Sequence, residues 1–275
     1  MRKLIESSVA SLEQKLVLVA PPQACCDGFP NTVYDAAQHR RLIHEMQRLR
    51  GTIFLDDGAI SRRDLTADGR HDTPEDDKSW HLLMTDPQGH VRSCVLLLLH
   101  RQAASFQRLR LRHCPLLRHA ESRQRVQCAV GSEMARAQAA GLRFGELGGW
   151  AISQERRGSP DGLMMILAAF GLARTLGGAL CITTANARSS SPILRRVGGA
   201  YLEFDATPIP SYFDPRYNHE MDLLRFDSRS PNPKYAALVE MVSGVLSRVS
   251  VVSRTCGAAA RQRQPAMMTR SVYAA

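Results

Sequence analysis

No stretch of this 275-residue chain stays apolar over the roughly 20 residues that a bilayer-spanning helix needs. Arg2 and Lys3 are followed by Glu6, Glu13 and Lys15, so the beginning lacks the uninterrupted apolar core of a secretory signal. A soluble, cytoplasmic protein with no transmembrane segment is expected. Cysteine pairing motifs are missing as well. The seven cysteines (Cys25, Cys26, Cys94, Cys114, Cys128, Cys181 and Cys256) are odd in number, and none belongs to a Cys-x-x-Cys pair. That argues against a disulfide framework and a zinc ribbon, and for small buried hydrophobes in a reducing compartment. His219-Glu220 does not extend to His-Glu-x-x-His, because position 223 is Leu223, so no metal site is expected. Aromatic residues are scarce, at 6% of the chain, and do not alternate with the arginines, so no base-stacking platform for nucleic acid is visible.

Basic charge is plentiful: 36 Lys and Arg face 26 Asp and Glu, giving a net charge of +10 and a pI near 9.7. Arginines cluster at Arg40 to Arg50, at Arg101 to Arg118, and at Arg123 to Arg136. Such a field attracts nucleic acid, an acidic carrier protein or a phosphorylated cofactor alike. Without stacking aromatics, the balance turns against nucleic acid. A hydrophobic fraction of 44% and a charged fraction of 23% are ordinary for a globular chain long enough to bury one large core.

Residues 1–33 read as an N-terminal extension, with weak helical periodicity from Leu4 to Val19 broken by Pro21 and Pro22. Residues 34–252 read as one domain and 253–275 as a disordered basic tail. Within the domain, Asp35 to Arg50 is an expected amphipathic helix, and the polar stretch Ser61 to Lys78 an expected mobile loop. Trp80 to Thr85 and Val91 to His100 form an expected hairpin around Asp86-Pro87-Gln88-Gly89. A helix over Gln124 to Ala140 and a strand over Phe144 to Ile152 follow, the strand interrupted by Gly148-Gly149. After a charged turn comes an uncharged helix from Leu163, then a short strand over Ala179 to Thr184. Ser191 to Gly198 has the Ser N-cap, early Pro and terminal Gly of a short helix. Strands over Ala200 to Phe204 and His219 to Phe226, and a closing helix over Tyr235 to Val251, complete the series.

The turn Arg157-Gly158-Ser159-Pro160-Asp161-Gly162 joins a strand to a buried helix. At such a turn, successive backbone N–H groups and the positive end of the helix can grip phosphate oxygens. The element order, this turn, and Ser189 to Phe204 (SSSPILRRVGGAYLEF) together resemble the GNAT acyltransferase superfamily over roughly residues 35 to 226. The resemblance implies an α/β fold, a central mixed β-sheet flanked by helices. It also implies acyl transfer from a thioester, with no tightly bound cofactor and acyl-CoA or acyl-phosphopantetheine as co-substrate. The family's phosphate turn has Gly where this chain has Pro160, which removes one donor, and Asp161 adds a negative charge. Both changes suit a single-phosphate donor, such as the phosphopantetheine of an acyl carrier protein. Arg157, Gly158, Ser159, Asp161 and Gly162 are the donor-phosphate candidates.

Gln47 to Arg50 before Phe54, Glu146 ahead of the turn, and Pro210 to Tyr235 resemble the long-chain N-acyl amino acid synthases and the acyl-homoserine-lactone synthases. An Arg-x-x-x-Phe-x-x-Arg signature of the lactone synthases is not complete near residue 50, which ranks the amino acid synthases first. The chemistry needs a backbone donor for the developing oxyanion, for which Gly149, Trp150 or Ala151 is placed. It also needs a group to take the amine proton, for which Glu146 is the candidate. The acid that many members carry four residues before the Gly of the short helix is a Tyr; here it is Leu194. Arg50, Tyr212, Tyr217 and His219 are candidates for an acceptor pocket, and Val95, Leu97, Leu99 and Ile152 for the surface along an acyl tail. The expected function is N-acyl transfer to an amine, an amino acid foremost. The alternatives are acyl-homoserine-lactone synthesis and a basic binding module that keeps the fold without catalysis; Pro160 and Leu194 favour the latter, Glu146 and the strand-turn-helix oppose it.

Overall fold

The computed structural model describes residues 12–100 and 105–255. Its centre is the hairpin of β3 (Trp80–Thr85) and β4 (Val91–Leu99). Asp86 closes the turn by accepting from the N–H groups of Gln88 and His90, and Gly89 takes the positive φ of 82° that the turn requires. Leu82, Leu83, Val95, Leu96 and Leu97 are buried, because helices cover both faces of these strands.

From this hairpin a ten-stranded mixed sheet extends both ways. On one side, β1 (Leu16–Val19) pairs antiparallel with β3, and β12 (Ser250–Ser253) lies parallel to β1 and to β2 (Thr32–Tyr34). On the other side come β5 (Arg143–Ile152), β6 (Ala179–Asn186), β11 (His219–Asp227) and the edge strand β10 (Tyr212–Asp214). The short β7 (Ala200–Tyr201) pairs with β11, while β8 (Glu203–Phe204) and β9 (Thr207–Pro208) form a separate small hairpin.

One face is covered by α3 (Asp161–Thr175), α4 (Ser190–Val197) and α5 (Pro233–Leu246). Leu18, Leu82, Val95, Leu97, Leu147 and Phe226 meet Met165, Ile166 and Phe170 there. Every residue from Met164 to Ala173 is buried, as a helix pressed between sheet and second helix must be. Gly171 permits that closeness: a Cβ would sit 2.8 Å from Leu246 Cδ1 and 3.0 Å from Ser243 Oγ. The opposite face carries α1 (Ala36–Asp56), capped by the Asp35 carboxylate on Ala37 N and Gln38 N, and α2 (Ala120–Ala139).

Four expectations are corrected. Residues 16–19 and 32–33, placed in an extension, belong to strands of the main sheet, and β1 lies inside it. The closing helix stops at Leu246, and Val251 and Val252 belong to β12, which lies between β1 and β2 and buries both side chains. Helix α1 runs on past Arg50 to Asp56. The polar stretch Ser61 to Lys78 is pinned to α1 by the buried Asp76. Residues 256–275, most of the expected tail, lie outside the described residues.

Candidate active site at the parted strands

Strands β5 and β6 run parallel but pair only from Arg143–Ala179 to Glu146–Ile182. Beyond Glu146, β5 stays with β4 while β6 stays with β11, so the sheet opens in a V at the carboxyl ends of this parallel pair. Opposite β4 the register slips: Leu96 faces Gly148, yet Cys94 faces Ala151. Gly149 and Trp150 therefore oppose Val95 alone, a bulge that takes them out of the regular ladder. Gly149 has φ of 60°, a conformation that glycine adopts freely. Its carbonyl accepts from the Cys94 thiol at 3.3 Å. Ala151 is buried beneath α1, and Trp150 packs toward the α3 face. A backbone N–H turned out of the ladder at such a bulge would suit a developing oxyanion.

Two arginines lie over the glycine pair on the α1 face. A Cβ on Gly149 would sit 3.3 Å from Arg50 Nη1, and a Cβ on Gly148 would fall inside the Arg110 guanidinium. Arg50, at 1% exposure, donates to Asp76 Oδ1 and Oδ2 at 2.9 and 2.6 Å and to the His71 carbonyl at 2.5 Å. Asp76 also accepts from Gln47 Nε2 and from Thr73 N and Oγ1. Burial alone would raise the Asp76 carboxyl, but the Arg50 hydrogen bonds and charge outweigh it and bring it down to about 2. Burial, aided by the Arg50 charge, lowers His71 to about 4, and burial lowers His81 to about 4. These histidines are neutral beside a charged pair.

Glu146, at 4% exposure, is also spoken for. Oε1 accepts from His100 Nε2 and Arg110 N, both at 2.9 Å, and Oε2 accepts from Leu111 N at 3.1 Å. Three of a carboxylate's roughly four acceptor positions are filled, which leaves one open. Glu146 thereby anchors the 3₁₀ turn Arg110–His113 to the strand.

The charged turn is built as the sequence suggests in shape, but its side chains are paired. Gly158 has φ of 78°, and the N–H groups of Gly158, Gly162 and Leu163 make no hydrogen bond among the described residues. Arg157 forms a two-pronged pair with Asp57 at 2.9 and 2.8 Å, and Gln154 donates to Asp56 at 3.0 Å. Asp161 accepts from Arg156 Nε at 2.6 Å, so its charge is compensated locally. Ser159 Oγ accepts from Asp161 N and donates to the Arg156 carbonyl. A Cβ on Gly162 would be 3.3 Å from Ile152 Cδ1, which shows how closely α3 begins against the end of β5.

The remaining candidates separate. Leu194 is buried in the apolar core and offers no acid. Tyr212 is buried under α2 with its hydroxyl ionisation raised by burial, Tyr217 is half-buried, and His219 is exposed. All three belong to the β10–β11 edge, and β6 stands between that edge and β5. They do not join Arg50 in one acceptor pocket; the insertion before β11 builds a sheet edge instead. Arg110 and His100 are the site residues that sequence reasoning missed. The signal for Arg110 was the Gly148-Gly149 pair, since glycine inside a strand marks a close approach by another group. A cavity of about 590 Å³ lies farther along α1, lined in part by His39, His44, Arg70 and Asp77, and touches the site through Gln47 and Asp76. Among the described residues no cluster of His, Cys, Asp and Glu could hold a metal ion.

An opened parallel pair, a bulge at the opening and a helix start beside it define a known architecture. The fold is that of the GNAT-like acyltransferases. A CoA-dependent acyl-homoserine lactone synthase, BjaI, solved with SAM and isopentyl-CoA, superimposes with a TM-score of 0.55 at 13% identity, over 90% of this chain and 97% of its own. Another, MesI, gives 0.50 at 14% identity, over 84% and 95%. FeeM, an N-acyl amino acid synthase from uncultured soil microbes, gives 0.46 at 8%, over 72% and 89%. No family model and no curated protein matches the sequence.

Proposed function

We propose that this chain is an N-acyltransferase that moves a long-chain acyl group from a thioester to an amine, an amino acid foremost. The observation that carries this reading is the bulge at Gly149 and Trp150 inside the V, flanked by a helix start with unused N–H groups. In this reaction the amine nitrogen attacks the thioester carbonyl and the oxygen becomes an oxyanion held by N–H groups at Trp150 or Ala151. The carbon–sulfur bond then breaks, and the thiolate takes up the proton that the amine lost. Glu146, through its one open acceptor position, or a water held by it, relays that proton. Since Leu194 supplies no acid, the thiolate leaves unaided, as its low basicity allows.

The donor is either acyl-CoA or an acyl carrier protein. Gly158, Gly162 and Leu163 supply N–H groups for a phosphate, and Arg157 joins them by leaving Asp57. Charge favours the carrier protein. Helix α2 returns along β5, so its first turn lies toward the open end of the V. Arg108, Arg112, Arg118 and Arg123 are exposed there and form no ion pair among the described residues. Glu121 is the lone acid between Ser105 and Ser132. No helix among the described residues is long and apolar enough to cross a membrane, and a place in the cytoplasm beside these donors belongs to the proposal. The second reading is acyl-homoserine-lactone synthesis, favoured by BjaI having been solved with SAM and isopentyl-CoA.

The test is mass spectrometry of lipid extracts from a bacterial host making the protein, beside a Glu146→Gln version. New N-acyl amino acids present with the first and absent with the second are expected. Acyl-homoserine lactones instead would establish the second reading. Extracts identical to the empty host, from folded protein, would end both.

A further inference from the structure

Of the two cations over the bulge, one is neutralised and one is not. Arg50 is bound through both Nη groups to Asp76. Arg110, half-buried, has no carboxylate partner among the described residues; Glu146 holds only its main-chain N–H. Its guanidinium nevertheless occupies the space over Gly148 that any side chain would fill. An arginine held half-buried without a counter-charge forgoes solvation, and an arriving anion would restore the balance.

We propose that Arg110 binds the carboxylate of the acceptor, and so selects α-amino acids over other amines. The inference rests on the acyl-transfer reading and names the substrate class within it. Spacing supports it. Strand rise places Gly148 about 6–7 Å from Trp150, where the carbonyl under attack would lie. In an α-amino acid about 2.5 Å separates the nitrogen from the carboxylate carbon. The carboxylate C–O bond, a guanidinium N···O contact of about 2.8 Å at an angle to it, and the forming C–N bond fill the remainder. An extra methylene between amine and carboxylate overshoots the guanidinium, and an amine without a carboxylate leaves Arg110 unpaired. Gly148 is the permissive element, since even an alanine there would displace the guanidinium.

The experiment uses the purified full chain with palmitoyl-coenzyme A and, separately, a palmitoylated carrier protein. The acceptors are a mixture of free amino acids and the matching mixture of their methyl esters, with products read by mass spectrometry. Wild type is expected to favour the free acids. Arg110→Gln lowers kcat/KM for the free acids by about tenfold to a hundredfold and leaves the esters within about twofold. Arg110→Lys recovers part of the loss, since it keeps the charge without the planar fork. Thermal melting of each variant, expected near wild type, separates this from misfolding. Equal losses on acids and esters at unchanged melting, or a rise in donor KM alone, would overturn the assignment while leaving acyl transfer standing. No acylation of any acceptor by folded wild type would remove both readings.

Discussion

The two faces of the sheet are made of opposite materials. Under α3 and α5 the side chains are apolar almost without exception, and α3 is buried on every side from Met164 to Ala173. Under α1 and α2, a few ångströms away through the same strands, lie Arg50, Asp76, His71, His81, Glu146 and His100. Close packing gives the first face its stability through burial of apolar area. The second face gives up part of that stability to hold charge beside Gly148 and Gly149.

Substitutions can break this contrast. The largest effect is expected from Asp76→Ala, which leaves Arg50 buried and uncompensated; a loss of about 3–5 kcal/mol should be measured by urea unfolding. An equally small loss as for a surface change would show that water enters the α1 face. Leu97→Ala on the apolar face should cost about 2–5 kcal/mol by the same measurement, with no change in how stability responds to pH.

Acid should act on the polar face in two stages. His71 and His81 are lowered from 6.5 to about 4 in the folded chain, so the unfolded chain takes up their protons first. Their contribution is present above about 6.5 and is lost as pH falls to about 4. Asp76, lowered from 3.8 to about 2, adds stability above 3.8 that is lost as pH falls through about 2. Melting temperature followed from neutral pH downward should therefore fall in the histidine range, and His81→Gln should flatten that part of the curve.

Smaller effects sharpen the comparison further. Gly148→Ala, by displacing the Arg110 guanidinium, is expected to cost about 1–3 kcal/mol and to lower acyl transfer to free amino acids. Arg157→Gln breaks only an exposed pair with Asp57, so unfolding should shift by no more than about 1 kcal/mol. Donor KM should rise all the same, and an unchanged donor KM would remove Arg157 from the phosphate site.

Much of the fold was legible because its signals are local. Alternation and apolar runs marked β3, β4 and β6, the Ser-Pro start and Gly stop marked α4, and Gly148-Gly149 marked the interruption of β5. The lost ground was non-local. Leu16–Val19 and Ser250–Val251 read as the end of one helix and the end of another, because four-residue strands carry too little period to compete with neighbouring helical pattern. Only pairing with each other and with β3 makes them strands. In the candidate site, Glu146, Gly149 and the charged turn were visible as motif positions. Arg110 was one arginine among a dense run, and nothing local distinguished it from Arg108 or Arg112.

By itself the amino-acid sequence determined the order of the main elements, the uncharged helix that had to be buried, and the glycines at which the chain must turn or admit a neighbour. These follow from side-chain period and backbone freedom within a few residues. The tertiary structure alone decided which charges are spent and which are free. Asp76 reaches Arg50 across 26 positions, Asp57 reaches Arg157 across 100, and Arg110 is left without either. Charge pairing depends on distance in space and on exclusion of water, and neither is written in the spacing of residues along a chain.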